Sequence, residues 1–380
     1  MNKYTGKVIE FHILQSFPVS CLNRDDVGSP KTAIIGGVTR ARVSSQCWKR
    51  QVRLAMHEHE EKYGIHLGIR TKRIAQLLAD ACVKCGANQN QAELCAKAMA
   101  EALTKDTLVF VSKRECSAFA EYAKENNFKF ADIKAKDLTK KLEGISKKVI
   151  NKGLDALDIA LFGRMVASDP SLNYDAAAQV AHSISTHKIQ NEYDFNVQAA
   201  AAFSHAISTH KVVPEIDFFT ALDDFPSEDA AGSAHMGTLE FNSATYYRYV
   251  SLDVGMLAHT LGLEEESEKP SLMKAIEAFI RALFVAIPSA RQNTQSAACP
   301  WEFAHVFVRN GQRLQVPFEE PVHCKSGEGY LAPSIERMEG YLKGKEKMMG
   351  SMFGKEADFI WGQNESYSID DLIRDVSESV

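Results

Sequence analysis

Val8-Ile-Glu-Phe-His-Ile-Leu14 alternates, with Ile9, Phe11 and Ile13 on one side and Glu10 and His12 on the other, the period-2 pattern of a strand with one face in a core. A sheet therefore opens the chain. The next stretch, Cys21 to Gly37, bears Gly, Pro and Asp and is longer than ordinary connections, and such loops often carry function. Ser44 or Ser45 can cap a helix that runs to about Tyr63. At about 100° per residue, Trp48, Val52, Ala55 and Met56 fall on one side of it and Lys49, Arg50 and Arg53 on the neighbouring side.

From about Arg70 to Ile150 helix formers dominate, with helix ends predicted at Gly86 and Gly144. Strand patterns return at 157–165, 212–222, 238–252 and 301–308, and helices are predicted near 174–187, 270–285 and 334–350. Strands and helices that mix without strict alternation make an α+β class. Asn173–Phe195 repeats as Asn196–Phe218, pairing His182 with His205 and His187 with His210, and each copy reads as an Ala-rich helix followed by a short strand. Two copies are too few for a solenoid.

A chain of 380 residues that is 45% hydrophobic buries a large core without staples. No apolar run reaches the roughly 18 residues of a membrane span, and the polar Met1-Asn2-Lys3-Tyr4 start is unlike a signal peptide, so a soluble, cytoplasmic protein is expected. Eight scattered cysteines suit a reducing compartment. Cys82, Cys85 and Cys95, with Cys116, lack the second CxxC of a zinc site and read as buried thiols, and no cofactor or metal is expected. His57, His59 and His66 read as a solvated helix tail.

The net charge is −5, but between Arg24 and Arg53 seven basic residues stand against two acidic ones, a local +5 that leaves −10 elsewhere. Such asymmetry directs a polyanion to one face. Arg24, Lys31, Arg40, Arg42, Lys49, Arg50 and Arg53 are the electrostatic candidates, with Ser44 and Gln46 as uncharged contacts. On composition alone, a solvated basic face with a capping serine is the competing reading.

Several segments, in order, resemble one family: Cys21-Leu-Asn-Arg-Asp-Asp26, Ala33-Ile-Ile-Gly-Gly37, Arg40-Ala-Arg-Val-Ser-Ser-Gln46 with Lys49-Arg50, Leu161-Phe-Gly-Arg-Met165, Ala206-Ile-Ser-Thr-His210, Asp217-Phe-Phe-Thr-Ala-Leu-Asp-Asp224, Ser233-Ala-His-Met-Gly-Thr238 and Tyr246-Tyr-Arg-Tyr249. The set resembles the CasC-type backbone subunits of type I-E CRISPR Cascade complexes, in the RAMP superfamily.

The resemblance implies an RRM-like (ferredoxin-like) palm with an antiparallel sheet over 1–69 and 151–380, a helical fingers insertion over 70–150 and a thumb around 212–250. It implies copies stacked head to tail on a guide RNA (crRNA), target DNA reached through the guide, other Cascade subunits as partners, and no catalysis. It places Gly163, Arg164 and Met165 beside the guide and Phe218, Phe219 and Thr220 in the thumb; from the residues alone, a glycine permits close approach and Met or Phe can stack on bases, yet such side chains in a strand are more often core. The thumb stretch 223–238 also reads as a plain surface loop. The repeat departs from the family, which has one copy there.

A guide that must pair with arbitrary DNA is best gripped by phosphate and sugar, which leaves its base edges free. Two alternatives stand beside this reading. A RAMP-type RNA endonuclease would draw on Asp25 and Asp26 or on His182, His205 and His235, and a stand-alone single-strand RNA binder would share the basic patch without ordered self-association.

Overall fold

The computed structural model describes residues 2–103, 109–130, 133, 135–149, 154–164, 201–221, 235–288, 296–325 and 328–380. In chain order the elements are β1 (Lys7–Ser20), β2 (Thr32–Ile35), β3 (Val38–Val43), α1 (Ser45–His57), α2 (Glu60–Tyr63), β4 (Ile69–Thr71), α3 (Ile74–Lys84), α4 (Gln89–Leu103), β5 (Val109–Val111), α5 (Lys113–Glu125), α6 (Ala135–Val149) and α7 (Leu157–Phe162). The second half carries β6 (Ala201–Phe203), β7 (Ala206–Ser208), β8 (Glu215–Ala221), β9 (His235–Asp253), α8 (Val254–Leu261), α9 (Lys269–Val285), β10 (Phe303–Asn310), α10 (Leu331–Met349), β11 (Lys355–Trp361) and α11 (Ile369–Ser379). This is an α+β fold.

The strand predicted from Val8 onward is the centre of the main sheet, whose order is β11-β10-β1-β9-β7-β3-β2 with antiparallel neighbours throughout. β9 spans two environments. Its last part pairs with β1 from Asn242 to Asp253, and its first part leaves the layer to pair with β8, Glu215 opposite Phe241 and Ala221 opposite His235.

Alternation along β1 assigns each face its own layer. Ile9, Phe11 and Ile13 enter a core shared with Trp48, Val52 and Met56 of α1 and with the buried stripe of α9. On the other face, Leu14, Tyr247, Tyr249 and Phe307 pack under Met338 and Leu342 of α10. Polar residues on that face are served in place: Glu10 accepts from Tyr249 Oη, from Arg309 and from Leu314 N at 2.8 Å. A separate core built from α3 to α6, including Leu78, Ala92, Met99, Phe119 and Leu142, stands beside the short β4–β5 pair.

The structure corrects several local expectations. The helix predicted to run to Tyr63 ends at His57, and a further turn, α2, stops at Gly64 in left-handed backbone (φ 61°). Gly144 lies inside α6, whose buried Leu138 and Leu142 carry the helix past it. Residues 157–162 form α7 rather than a strand, because an apolar run buried on all sides has no period to read. In the second repeat copy the described residues form β6 and β7 where a helix is expected and then the start of β8 where a strand is expected, all pairing with β9, so sheet pairing overrides the helical preference of alanine. The first copy, 173–195, and the helix predicted at 174–187 lie outside the described residues. No described helix is long and apolar enough to cross a membrane.

Candidate nucleic-acid interface

The loop after β1 is built against the start of α1. Asp25 closes it by accepting from Val27 N at 3.1 Å and Ser29 N at 2.9 Å, and Arg24 bridges Pro30. Asn23 Oδ1 accepts Ser44 N at 2.9 Å, while Lys31 N reaches Asn23 O at 2.8 Å. One asparagine thus joins the loop to the helix cap. Ser44 Oγ accepts Cys47 N at 3.3 Å, and the first turn of α1 contains no acid, so the positive end of the helix dipole is uncompensated there.

Around this cap the structure gathers part of the predicted cation set. Arg24, Gln46 and Arg50 are exposed, and Lys31, Arg42, Ser44, Lys49 and Arg53 are half-buried. Lys31 and Arg50 both act on the Cys47 thiol, which burial nonetheless pushes up to about 11. Farther along α1, Arg53 is flanked by Arg50 and by Arg70 of β4. Its guanidinium stands 5.5 Å over the Phe110 ring and 4.0 Å from Asp158. Arg70 was missed in the sequence because it opens a segment dominated by helix formers; its only signal was a cation between Ile69 and Thr71 in a strand-like triplet.

Two predicted contacts are internal. Arg40 is fully buried, and its guanidinium donates to Ser208 O at 2.7 Å, Phe318 O at 3.0 Å and Glu319 O at 3.2 Å, which locks β3 to the segment before α10. Arg164 is likewise buried, with Glu115 at 2.8 Å, Ser146 Oγ at 3.0 Å and Phe110 O at 3.2 Å. Both spend their donors inside the fold, so neither is a contact for an external phosphate. Phe110 nevertheless links the two sites, because its carbonyl accepts from Arg164 and its ring lies under the Arg53 guanidinium. Gly163 caps α7 with φ 78°, a backbone that favours glycine.

Phe218, Phe219 and Thr220 lie on β8, opposite Thr238, Gly237 and Met236 of β9, off the path of the main sheet order. Met165, and most of the loop stretch 223–238 up to Ala234, lie outside the described residues.

Beneath α1 a further cation is enclosed. Arg248 is buried 3.6 Å over the Trp48 ring, donates to Gln15 Oε1 at 2.7 Å, and is pushed down to about 9 by burial. Asp25 and Asp26 are both exposed, and Asp25 is engaged in its turn. His182 lies outside the described residues. Among the described residues, no three His, Cys, Asp or Glu side chains are grouped to hold a metal. Cys82, Cys95 and Cys116 are packed in the helical core, where burial raises their thiols, Cys82 and Cys116 to about 12. The arrangement is suited to holding a polyanion on a loop and a helix terminus.

The model of the CT1975-like protein family matches residues 9–196 and 194–369. The chain belongs to the CT1975-like family. The two matched spans meet where one repeat copy ends and the next begins. The fold of this family member is similar to that of a chain from a solved "CRISPR RNA-guided surveillance complex, pre-nicking", with a TM-score of 0.74 and 24% identity over 98% of this chain and 99% of that one. A chain from another "CRISPR RNA-guided surveillance complex" aligns over the same shares with a TM-score of 0.58 and 22% identity. No curated protein matches the chain.

Proposed function

We propose that this CT1975-like chain is a non-catalytic guide-RNA-binding backbone subunit of a type I-E CRISPR Cascade surveillance complex. Copies coat the crRNA head to tail and present it for pairing with target DNA, beside the other subunits and in the cytoplasm. The observation that carries the reading is the acid-free start of α1, with Lys31, Arg42, Lys49, Arg50, Arg53 and Arg70 around and along it. Cations and helix-terminal N–H groups grip phosphates without reading bases. Membership of the family, and a fold shared with chains of two CRISPR RNA-guided surveillance complexes, support the same reading.

In this reading β1, α1, β7, β9, α9 and β10, with strand order β10-β1-β9-β7, make the RRM-like palm, because a βαββαβ series with that antiparallel order is the ferredoxin-like arrangement. Residues 70–150 are the helical fingers and the β8–β9 excursion is the thumb.

The test is to purify the chain from cells that express a CRISPR array and to analyse what accompanies it. Guide-sized RNA in an assembly of several copies, with RNA left intact in the presence of divalent metal, is the expected result. RNA bound by single copies would favour the stand-alone binder, and cleavage lost in Asp25→Ala would favour the endonuclease.

A further inference from the structure

Asp158 of α7 has a carboxylate that is 0% exposed. Oδ1 accepts from Gly68 N at 2.7 Å and from Ile159 N at 3.1 Å. Oδ2 is buried without a hydrogen-bond partner, and the cation facing it, Arg53 Nη1, stops at 4.0 Å, too far for a hydrogen bond. Leaving one oxygen of an enclosed carboxylate unserved is costly.

Arg53 is placed between opposing forces. Asp158 and the face of Phe110 attract its guanidinium, whereas Arg50 and Arg70 repel it. Its side chain keeps 18% exposure, so an anion can approach from the solvent side.

We propose that Asp158 is a positioning residue for Arg53, a latch that holds the guanidinium against Phe110 in the free chain and yields it to an RNA phosphate. The proposal rests on the RNA-binding reading above. Since no hydrogen bond joins the pair, release breaks none; a phosphate takes over the Coulombic attraction. The carboxylate then loses its counter-charge in a closed site, which favours its neutral form. Burial already pushes Asp158 up to about 7, against the pull of Gly68 N–H and Arg53, so the change falls in an accessible pH range.

Above about pH 7, where the free chain has released it, RNA binding therefore takes up as much as one proton from solvent at Asp158, and binding weakens as pH rises. Burial raises the neighbouring Asp155 as well, against the pull of Ser112, Arg114 and His66 and with the repulsion of Glu115, the partner of Arg164, and it sets a separate background.

The experiment measures binding of a fluorescein-labelled oligouridylate to the full chain from pH 6 to pH 8.5 at constant ionic strength, with Asp158→Asn and Arg53→Gln alongside. Above about pH 7 the wild-type chain should lose up to about tenfold in affinity per pH unit. Asp158→Asn should lack this component and bind more tightly than wild type at pH 8.5. Arg53→Gln should bind more weakly throughout and also lack the component, which keeps the test decisive if the asparagine variant folds poorly. RNA bound by all three with one shared pH profile overturns the latch alone, whereas no RNA bound by wild type at any pH overturns the RNA reading and the latch with it.

Discussion

Asp158 shows how a single buried group links structure to conditions. Its carboxyl is raised by burial from an ordinary value of 3.8 to about 7, so the folded chain holds a proton that the unfolded chain has released. The sign follows from linkage: the stabilisation is complete below about pH 4 and is lost as pH rises through 7. Thermal unfolding of Asp158→Asn compared with wild type should therefore favour the variant increasingly between pH 5 and pH 8; a constant difference would show that the group does not titrate there. Gly68 matters for a related reason. A Cβ at Gly68 would stand 2.7 Å from the Phe110 ring and 3.1 Å from Ile159, crowding the backbone N–H that serves Asp158. Gly68→Ala should cost about 1–3 kcal/mol in denaturant unfolding.

At the scale of elements, α1 has two jobs that its sequence separates by face. Trp48, Val52 and Met56 fasten it to the sheet, and the cations beside them remain at least partly exposed. The double substitution Lys49→Gln with Arg50→Gln should leave the fold intact and flatten the salt dependence of RNA binding by about one unit of slope for each phosphate that is no longer neutralised. An unchanged slope would remove this helix from the interface. The helical body depends on a different interaction. Arg164, just after α7, reaches Glu115 of α5 and Ser146 of α6, and both charged partners are enclosed. Glu115→Gln leaves a guanidinium uncompensated there, and calorimetry should register a loss of about 3–5 kcal/mol.

Over the whole molecule, one antiparallel sheet carries a helical layer on each face, and a second core accumulates beside it. A chain whose charge is −5 overall nonetheless gathers cations at the loop before β2, along α1 and at β4. The proposed filament makes assembly RNA-dependent: light scattering should find larger particles when guide-length RNA is added at low salt, and separate chains again as salt rises. Scattering that is indifferent to RNA would count against head-to-tail coating.

Local pattern alone determined a good deal. The alternation of Val8–Leu14, the apolar stripe of α1 and the capping serine were legible because each depends on residues within a few positions of one another. So were α9, α10 and the strands β9 and β10, within a few residues at their ends. Only the tertiary structure decided which cations face outward: Arg40 and Arg164 look like Arg50 in the sequence, but carbonyls and a carboxylate far along the chain enclose them. The same holds for Ala201–Phe203 and Ala206–Ser208, which β9 recruits as strands, and for Asp158, whose partner Arg53 lies on another helix. Burial and long-range pairing set these outcomes, and a reading of neighbours along the chain contains neither.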